Sequence, residues 1–220
     1  MTHPSYQVRG GLGVIAVALG FVLMLGGCTV TAGQQRETSS TKVREVLDAR
    51  QGEFDLSTPP NRDEAGMPAR ASTVTYQRPD HQPFQLKVRL PAGKELDVSA
   101  RVLTFDALSQ PASETAAPTT MDIHVYPGSL SAGRDAMLAA AGEFGYDTGL
   151  ISKWYAEATT ASSAGRPNQA PPTATSPWLH SEVGYLSVDA QAAYSPPVGG
   201  EPATDQTVVH FMLSWKSSAS

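Results

Sequence analysis

The sequence predicts an α+β fold, in which a mostly antiparallel sheet of about five strands carries two consecutive helices on one face. Three observations lead to this prediction. Short segments in both halves of the chain alternate apolar and polar residues, as half-buried strands do. Two segments with helical spacing follow one another between them. The first three strands are joined by loops rather than by helices, which favours antiparallel pairing.

The first two strands are predicted to form a hairpin. Phe84 to Leu90 and Leu96 to Val102 both alternate apolar and polar residues. Pro91 to Lys94, between them, has turn chemistry, because proline presets φ and glycine tolerates a positive φ. Leu103 and Phe105 then change the parity of the pattern, which indicates a β-bulge or the end of the strand.

A third strand and two helices follow. The third strand runs from Met121 to Val125 and is ended by Pro127-Gly128. Gly145 is suited to ending the first helix, and Asp147 is suited to capping the second. The apolar stripes of the two helices are Met137, Ala140, Ala141 and Phe144, and then Leu150, Ile151, Trp154, Tyr155 and Ala158.

Two further strands complete the predicted sheet. The fourth contains Val183, Tyr185 and Val188. The last strand runs from Thr207 to Trp215 and has the clearest alternation in the chain. Its core-facing residues are predicted to be Val209, Phe211, Leu213 and Trp215.

The folded domain is predicted to span residues 72–217. Residues 28–71 are polar and weakly patterned for most of their length, which favours a flexible tether. The alternative is that this segment holds a short helix capped by Thr41, with an apolar side formed by Val43, Val46 and Leu47. Such a helix would have to end before Pro59-Pro60.

The N-terminus has the pattern of an export signal. Arg9 supplies a positive charge, and residues 10–27 carry none. The run Leu25-Gly26-Gly27-Cys28 that follows resembles the lipobox of bacterial lipoproteins, and Cys28 is the only cysteine in the chain. The resemblance implies that residues 1–27 are removed, that Cys28 carries a diacylglyceryl group, and that the protein is held on the extracytoplasmic side of the cell membrane. The alternative is an uncleaved transmembrane helix, for which the uncharged stretch is just long enough.

The composition narrows the class of partner. The chain has 16 basic and 21 acidic residues, a net charge of −5, whereas nucleic-acid binding needs a basic surface. Abundant Ala, Thr, Pro and Ser with few lysines is typical of exported proteins from high-GC actinobacteria. The composition therefore disfavours nucleic acid as a partner. The expected partners are the membrane, through the lipid on Cys28, and an envelope protein, a lipid or a glycan.

Two strands carry a candidate metal site. Asp122 and His124 lie on the open face of the third strand, and His210 and Met212 lie on the open face of the last strand. If these strands are neighbours, a carboxylate and two imidazoles converge, a combination that binds zinc or copper, and Met212 would suit copper. The alternative is that these are solvated strand residues.

Trp178 and Tyr185 are the candidate ligand-binding residues, because Trp178 follows a proline in a polar loop. No catalytic residue or cofactor is predicted. Ser187 and Asp189 share one face of a strand, but no histidine is near them in sequence, and the motifs G-x-S-x-G and H-E-x-x-H are missing. The expected function is that of a binding or accessory module of the cell envelope, with a metal-binding lipoprotein or a surface hydrolase as alternatives.

Overall fold

The computed structural model describes residues 40–107, 116–163, 173–196 and 206–215. These residues form a mixed α/β fold with nine strands in one sheet and three helices. The elements are α1 (Thr41–Ala49), β1 (Gln51–Asp55), β2 (Thr73–Gln77), β3 (Phe84–Arg89), β4 (Glu95–Asp106), β5 (Thr120–Val125), α2 (Leu130–Phe144), α3 (Thr148–Ser163), β6 (Ala174–Thr175), β7 (Leu179–Val183), β8 (Leu186–Tyr194) and β9 (Thr207–Trp215). The prediction of about five strands was too low. The additional strands have five residues or fewer, which is too short for a clear alternating pattern.

The sheet has the strand order β1-β3-β4-β5-β9-β8-β6, with β2 also paired to β4 and β7 also paired to β8. Every pair is antiparallel except β1 with β3. β4 is long enough for its first half to pair with β3 and its second half with β2. The register against β5 shifts between Ala100 and Val102 while β4 continues to Asp106, so of the two predicted possibilities the bulge is confirmed and the end of the strand is not.

Residues 41–71, which the sequence assigned to a tether, are part of the fold. The Ser40 hydroxyl accepts the Val43 N–H at 3.2 Å and caps α1. β1 pairs with β3, and the buried Phe54 ring packs against Tyr76 and Phe105. The prediction failed here because β1 is stabilised by a partner strand more than 30 residues away, and short local patterns do not show such pairing.

The helices confirm the predicted stops and stripes. α2 ends at Gly145, which has a φ of 74°, and the Asp147 carboxylate accepts the Gly149 N–H at 2.7 Å at the start of α3. The two helices pack against each other, and α2 also contacts β8 and β9. No helix in the described residues is long and apolar enough to cross a membrane.

The predicted fourth strand is a hairpin. β7 and β8 pair with Val183 opposite Leu186, and Gly184, with a φ of 63°, makes the turn between them. Tyr185 therefore lies in a turn and not in a strand. The alternation of Val183, Tyr185 and Val188 resembled one continuous strand, but the positive φ of the glycine reverses the chain.

β9 confirms the predicted core face. Phe211 is 1 % exposed and Leu213 is fully buried, so the odd-numbered residues face the core. The even-numbered residues are half-buried on the opposite face, which we call the open face of the sheet.

Candidate functional site

Two neighbouring strands bring polar side chains together on the open face. β5 and β9 pair so that His124 lies opposite His210 and Asp122 lies opposite Met212. The centroids of the two imidazole rings are 4.5 Å apart. The structure thus places Asp122, His124 and His210 side by side, as the sequence suggested for paired strands. Together with Trp178 they form what we call the open-face cluster.

A hydrogen bond fixes the state of one histidine in the cluster. Nε2 of His210 lies 2.9 Å from Oδ1 of Asp122, and both side chains are about three-quarters buried. A carboxylate only accepts, so Nε2 of His210 carries the proton. Burial and the neighbouring His210 lower the pKa of His124, which favours its neutral form. The cluster therefore combines a carboxylate, the His210 ring that donates to it, and the His124 ring, whose neutral form is favoured.

Trp178 completes the cluster with an exposed aromatic ring. It is 43 % exposed, and its ring meets that of His210 edge-on at a centroid distance of 5.1 Å. Ser176, two residues before Trp178, forms two hydrogen bonds with β8. Its N–H donates to the Ala192 carbonyl at 2.8 Å, and its hydroxyl accepts the Ala192 N–H at 2.9 Å. The Gln191 side-chain amide also donates to the Ser176 carbonyl at 3.1 Å. The indole is therefore held in place while one side of it remains open to solvent.

Tyr185 does not join this cluster. Its hydroxyl donates to the Leu56 carbonyl at 2.8 Å, and burial raises its pKa. Trp178 precedes β7 and Tyr185 follows it, which separates them by roughly 20 Å at the usual rise of a strand. Tyr185 ties the β7–β8 turn to the segment after β1, a structural role, and the structure does not place it with Trp178.

The cluster does not form a recognisable metal centre. Within the described part of the chain, no group of three or more His, Cys, Asp or Glu side chains is arranged to hold a metal ion. Asp122 and His210 instead satisfy each other through their hydrogen bond. The neighbourhood of the three residues was predictable, but the arrangement does not support zinc ligation.

Sequence reasoning missed a third histidine near this face. β7 places His180 opposite Asp189, and Nδ1 of His180 donates to Oδ1 of Asp189 at 2.7 Å. Ser187 donates to the other oxygen of Asp189 at 3.0 Å. Recognising the Gly184 turn would have found this arrangement, since counting back from a hairpin with Val183 opposite Leu186 pairs His180 with Asp189.

The Ser187, His180 and Asp189 side chains do not have the geometry of a hydrolase triad. A triad needs the serine at one ring nitrogen and the carboxylate at the other. Here the Ser187 oxygen, at 3.3 Å, and Asp189 both approach Nδ1, while Nε2 faces Glu182 at 3.2 Å. The hydrogen bond to Asp189 and the charges of both carboxylates raise the pKa of His180. They thus favour the imidazolium, which cannot act as a general base.

The chain matches no family model, no curated protein and no solved structure. Its function therefore has to follow from the site itself.

Proposed function

We propose that this protein is a lipid-anchored lipoprotein of the bacterial cell envelope that acts by binding a ligand at the open-face cluster, without catalysis. The observation that carries the proposal is the exposed indole of Trp178, held against His210 beside hydrogen-bonding side chains. Exposed tryptophans held by their surroundings are frequent centres of binding sites, because a large rigid ring gives contact area at little entropic cost.

The surroundings of Trp178 favour a glycan over a lipid. An acyl chain needs an apolar channel, whereas the indole contacts the imidazole of His210. That imidazole is hydrogen-bonded to the Asp122 carboxylate, and Gln191 lies opposite His210 on the next strand. A sugar ring can place its apolar C–H face on the indole and direct its hydroxyls to those polar groups. The net charge of −5 also disfavours nucleic acid and strongly acidic ligands.

The proposed anchor rests on the sequence of the leader. Cys28 lies outside the described residues, and the support for its lipidation is its place at the end of an uncharged stretch with the Leu-Gly-Gly-Cys pattern. Two buried acyl chains hold a protein stably on a bilayer, whereas one holds it only marginally. The Cys28→Ser variant should move from the membrane fraction to the soluble fraction of an actinobacterial host. Continued membrane retention with an uncleaved leader would favour a transmembrane helix instead.

Native mass spectrometry of the exported Cys28→Ser protein tests the ligand. We expect a retained mass of hexose or oligosaccharide size that is lost in a Trp178→Ala variant. Leu138→Ala is the matched control, because Leu138 is the other large hydrophobic side chain exposed in the described residues, at 38 %, and it lies away from the cluster on α2. An acyl mass would overturn the glycan assignment, and an adduct unaffected by Trp178→Ala would overturn the site. A metal mass lost in His124→Ala would favour the metal-binding alternative.

A further inference from the structure

One edge of β4 has a stretch without a strand partner. Residues 95–100 of β4 pair with β3 on one side. On the other side β5 pairs with β4 only from Ala100 onward. Among the described residues, no strand pairs with Glu95 to Ser99 on that second side.

The backbone groups of this stretch alternate in direction. The Leu90 N–H donates to the Lys94 carbonyl at 2.8 Å, so Lys94 faces β3. The Glu95 N–H faces the other way, where the Glu143 carboxylate of α2 accepts it at 3.4 Å. By the alternation of an antiparallel strand, the N–H and C=O groups of Asp97 and Ser99 also point away from β3. The edge therefore presents a row of donors and acceptors to any added strand.

A groove lies beside this edge. It has a volume of about 270 Å³ and runs between the first half of β4 and α2. Its apolar lining residues are Leu96, Val98, Val125, Ala136, Ala139, Ala140 and Phe144. Since side chains alternate along a strand, an added strand would direct every second side chain into this groove and the others toward the polar side of β4.

The polar side of the edge favours a basic strand. Glu95 and Asp97 are exposed, and Glu143 lies across the groove from them. Lys87 pairs with Glu95 at 2.9 Å, and Lys94 donates to the Glu143 carbonyl, which leaves three carboxylates against two ammonium groups. If this edge paired with the same edge of a second copy, acidic residues would lie opposite acidic residues, which destabilises strand pairing.

We propose that this edge and groove bind an extended segment of a partner protein, in which small apolar residues alternate with lysine or arginine. The segment adds to β4 as a strand, so its backbone pairs with Asp97 and Ser99 while its apolar side chains enter the groove beside α2. This is binding by strand addition, in which the main chain supplies affinity and the groove supplies selectivity. The site is separate from the open-face cluster, and the proposal does not depend on the ligand of Trp178.

Amide hydrogen exchange of the mature Cys28→Ser chain tests the proposal. The probe is the blocked peptide Lys-Val-Lys-Val-Lys-Val-Lys, and the control is Lys-Ser-Lys-Ser-Lys-Ser-Lys, which has the same charge. In the free protein the amides of Asp97 and Ser99 should exchange faster than those of Leu96 and Val98, which face β3. The Lys-Val peptide should slow exchange at Asp97 and Ser99 by roughly tenfold or more, and the Lys-Ser peptide should not.

Two variants of α2 separate groove binding from general charge attraction. Ala139→Tyr fills the groove and should abolish the protection, whereas Leu138→Tyr adds the same ring at an exposed position that does not line the groove. Trp178→Ala should leave the protection unchanged. Four results would each overturn the proposal. Exchange at Asp97 and Ser99 could already be slow in the free protein, or the Lys-Val peptide could give no protection at its highest soluble concentration. Both peptides could have equal effects, or the protection could survive Ala139→Tyr.

Discussion

His124 and His210 face each other across neighbouring strands, with ring centroids 4.5 Å apart on the side of the sheet opposite the core. They come from segments 86 residues apart, and the register of β5 against β9 sets their contact. Trp178 reaches the same place from the loop before β7. Three distant segments therefore supply side chains to one patch, and the binding proposal rests on this patch.

His124 and His180 should titrate on opposite sides of the usual histidine pKa. Burial lowers the pKa of His124 below 6.5, and the hydrogen bond that His180 donates to Asp189 raises the pKa of His180 above it. Proton-detected titration of the histidine rings should therefore show His180 protonated first as the pH is lowered. Asp189→Asn should bring the pKa of His180 down. Coincident titration of both rings would contradict the described environments.

His124 should also make stability depend on pH. Because its folded-state pKa lies below the unfolded value near 6.5, the unfolded chain binds the proton more readily. The stability that His124 contributes to the fold is therefore complete above pH 6.5, and it is lost as the pH falls through the folded-state pKa of His124. Urea unfolding between pH 8 and pH 5 should show less acid destabilisation for His124→Gln than for the wild type. An equal slope in both proteins would mean that His124 is not desolvated.

Two glycines of α2 should respond oppositely to alanine. A Cβ at Gly133 would clash with the Thr207 methyl group, whereas a Cβ at Gly142 meets nothing within 4 Å. Gly133→Ala should cost about 1–3 kcal/mol of stability through overpacking. Gly142→Ala should stabilise by about 0.5–1 kcal/mol, because it removes the entropic cost of glycine in a helix. Thermal unfolding of both variants checks the pair, and a stabilising Gly133→Ala would show that α2 lies further from β9.

Adjacent positions of β9 should differ sharply in their tolerance of polar substitutions. Phe211 is buried in the core, and Met212 lies on the open face. Phe211→Asp should prevent folding, because an unpaired charge in the core costs several kcal/mol. Met212→Ser should retain most of the wild-type melting temperature. A normal melting temperature for Phe211→Asp would reverse the assignment of the two faces.

Trp178 should account for most of the quenchable tryptophan fluorescence. Of the three tryptophans, Trp154 is 1 % exposed and Trp215 is 6 % exposed. Acrylamide should therefore quench the wild type strongly and the Trp178→Phe variant weakly. Equal quenching of the two proteins would show that the indole of Trp178 is covered.

The parts of the fold that the sequence predicted are those that depend on local pattern. β3, β4, β5 and β9 alternate clearly, and α2 and α3 have apolar stripes and suitable end residues. β1, β2 and β6 have five residues or fewer and are fixed by strands far away in sequence. Local pattern does not report such pairing, so residues 41–71 were mistaken for a tether.

The candidate site was predictable only in part, for the same reason. Alternation placed Asp122, His124 and His210 on open faces, but only the pairing of β5 with β9 brought them together. His180 was missed because its partner Asp189 depends on the Gly184 turn, which interrupts an apparently continuous strand. Tyr185 was misplaced by the same turn, since its ring then points to Leu56.

The central claim is that a ligand binds at the Trp178–His210 contact, and chemical-shift mapping tests it most directly. The ¹⁵N-labelled mature Cys28→Ser protein would be titrated with a soluble polysaccharide purified from an actinobacterial envelope. The account predicts that, of the three indole N–H signals, that of Trp178 shifts, together with the ring signals of His210, and that the His210 shift vanishes in Trp178→Ala. Unchanged spectra, or shifts confined to the signals of Trp154 and Trp215, would contradict it.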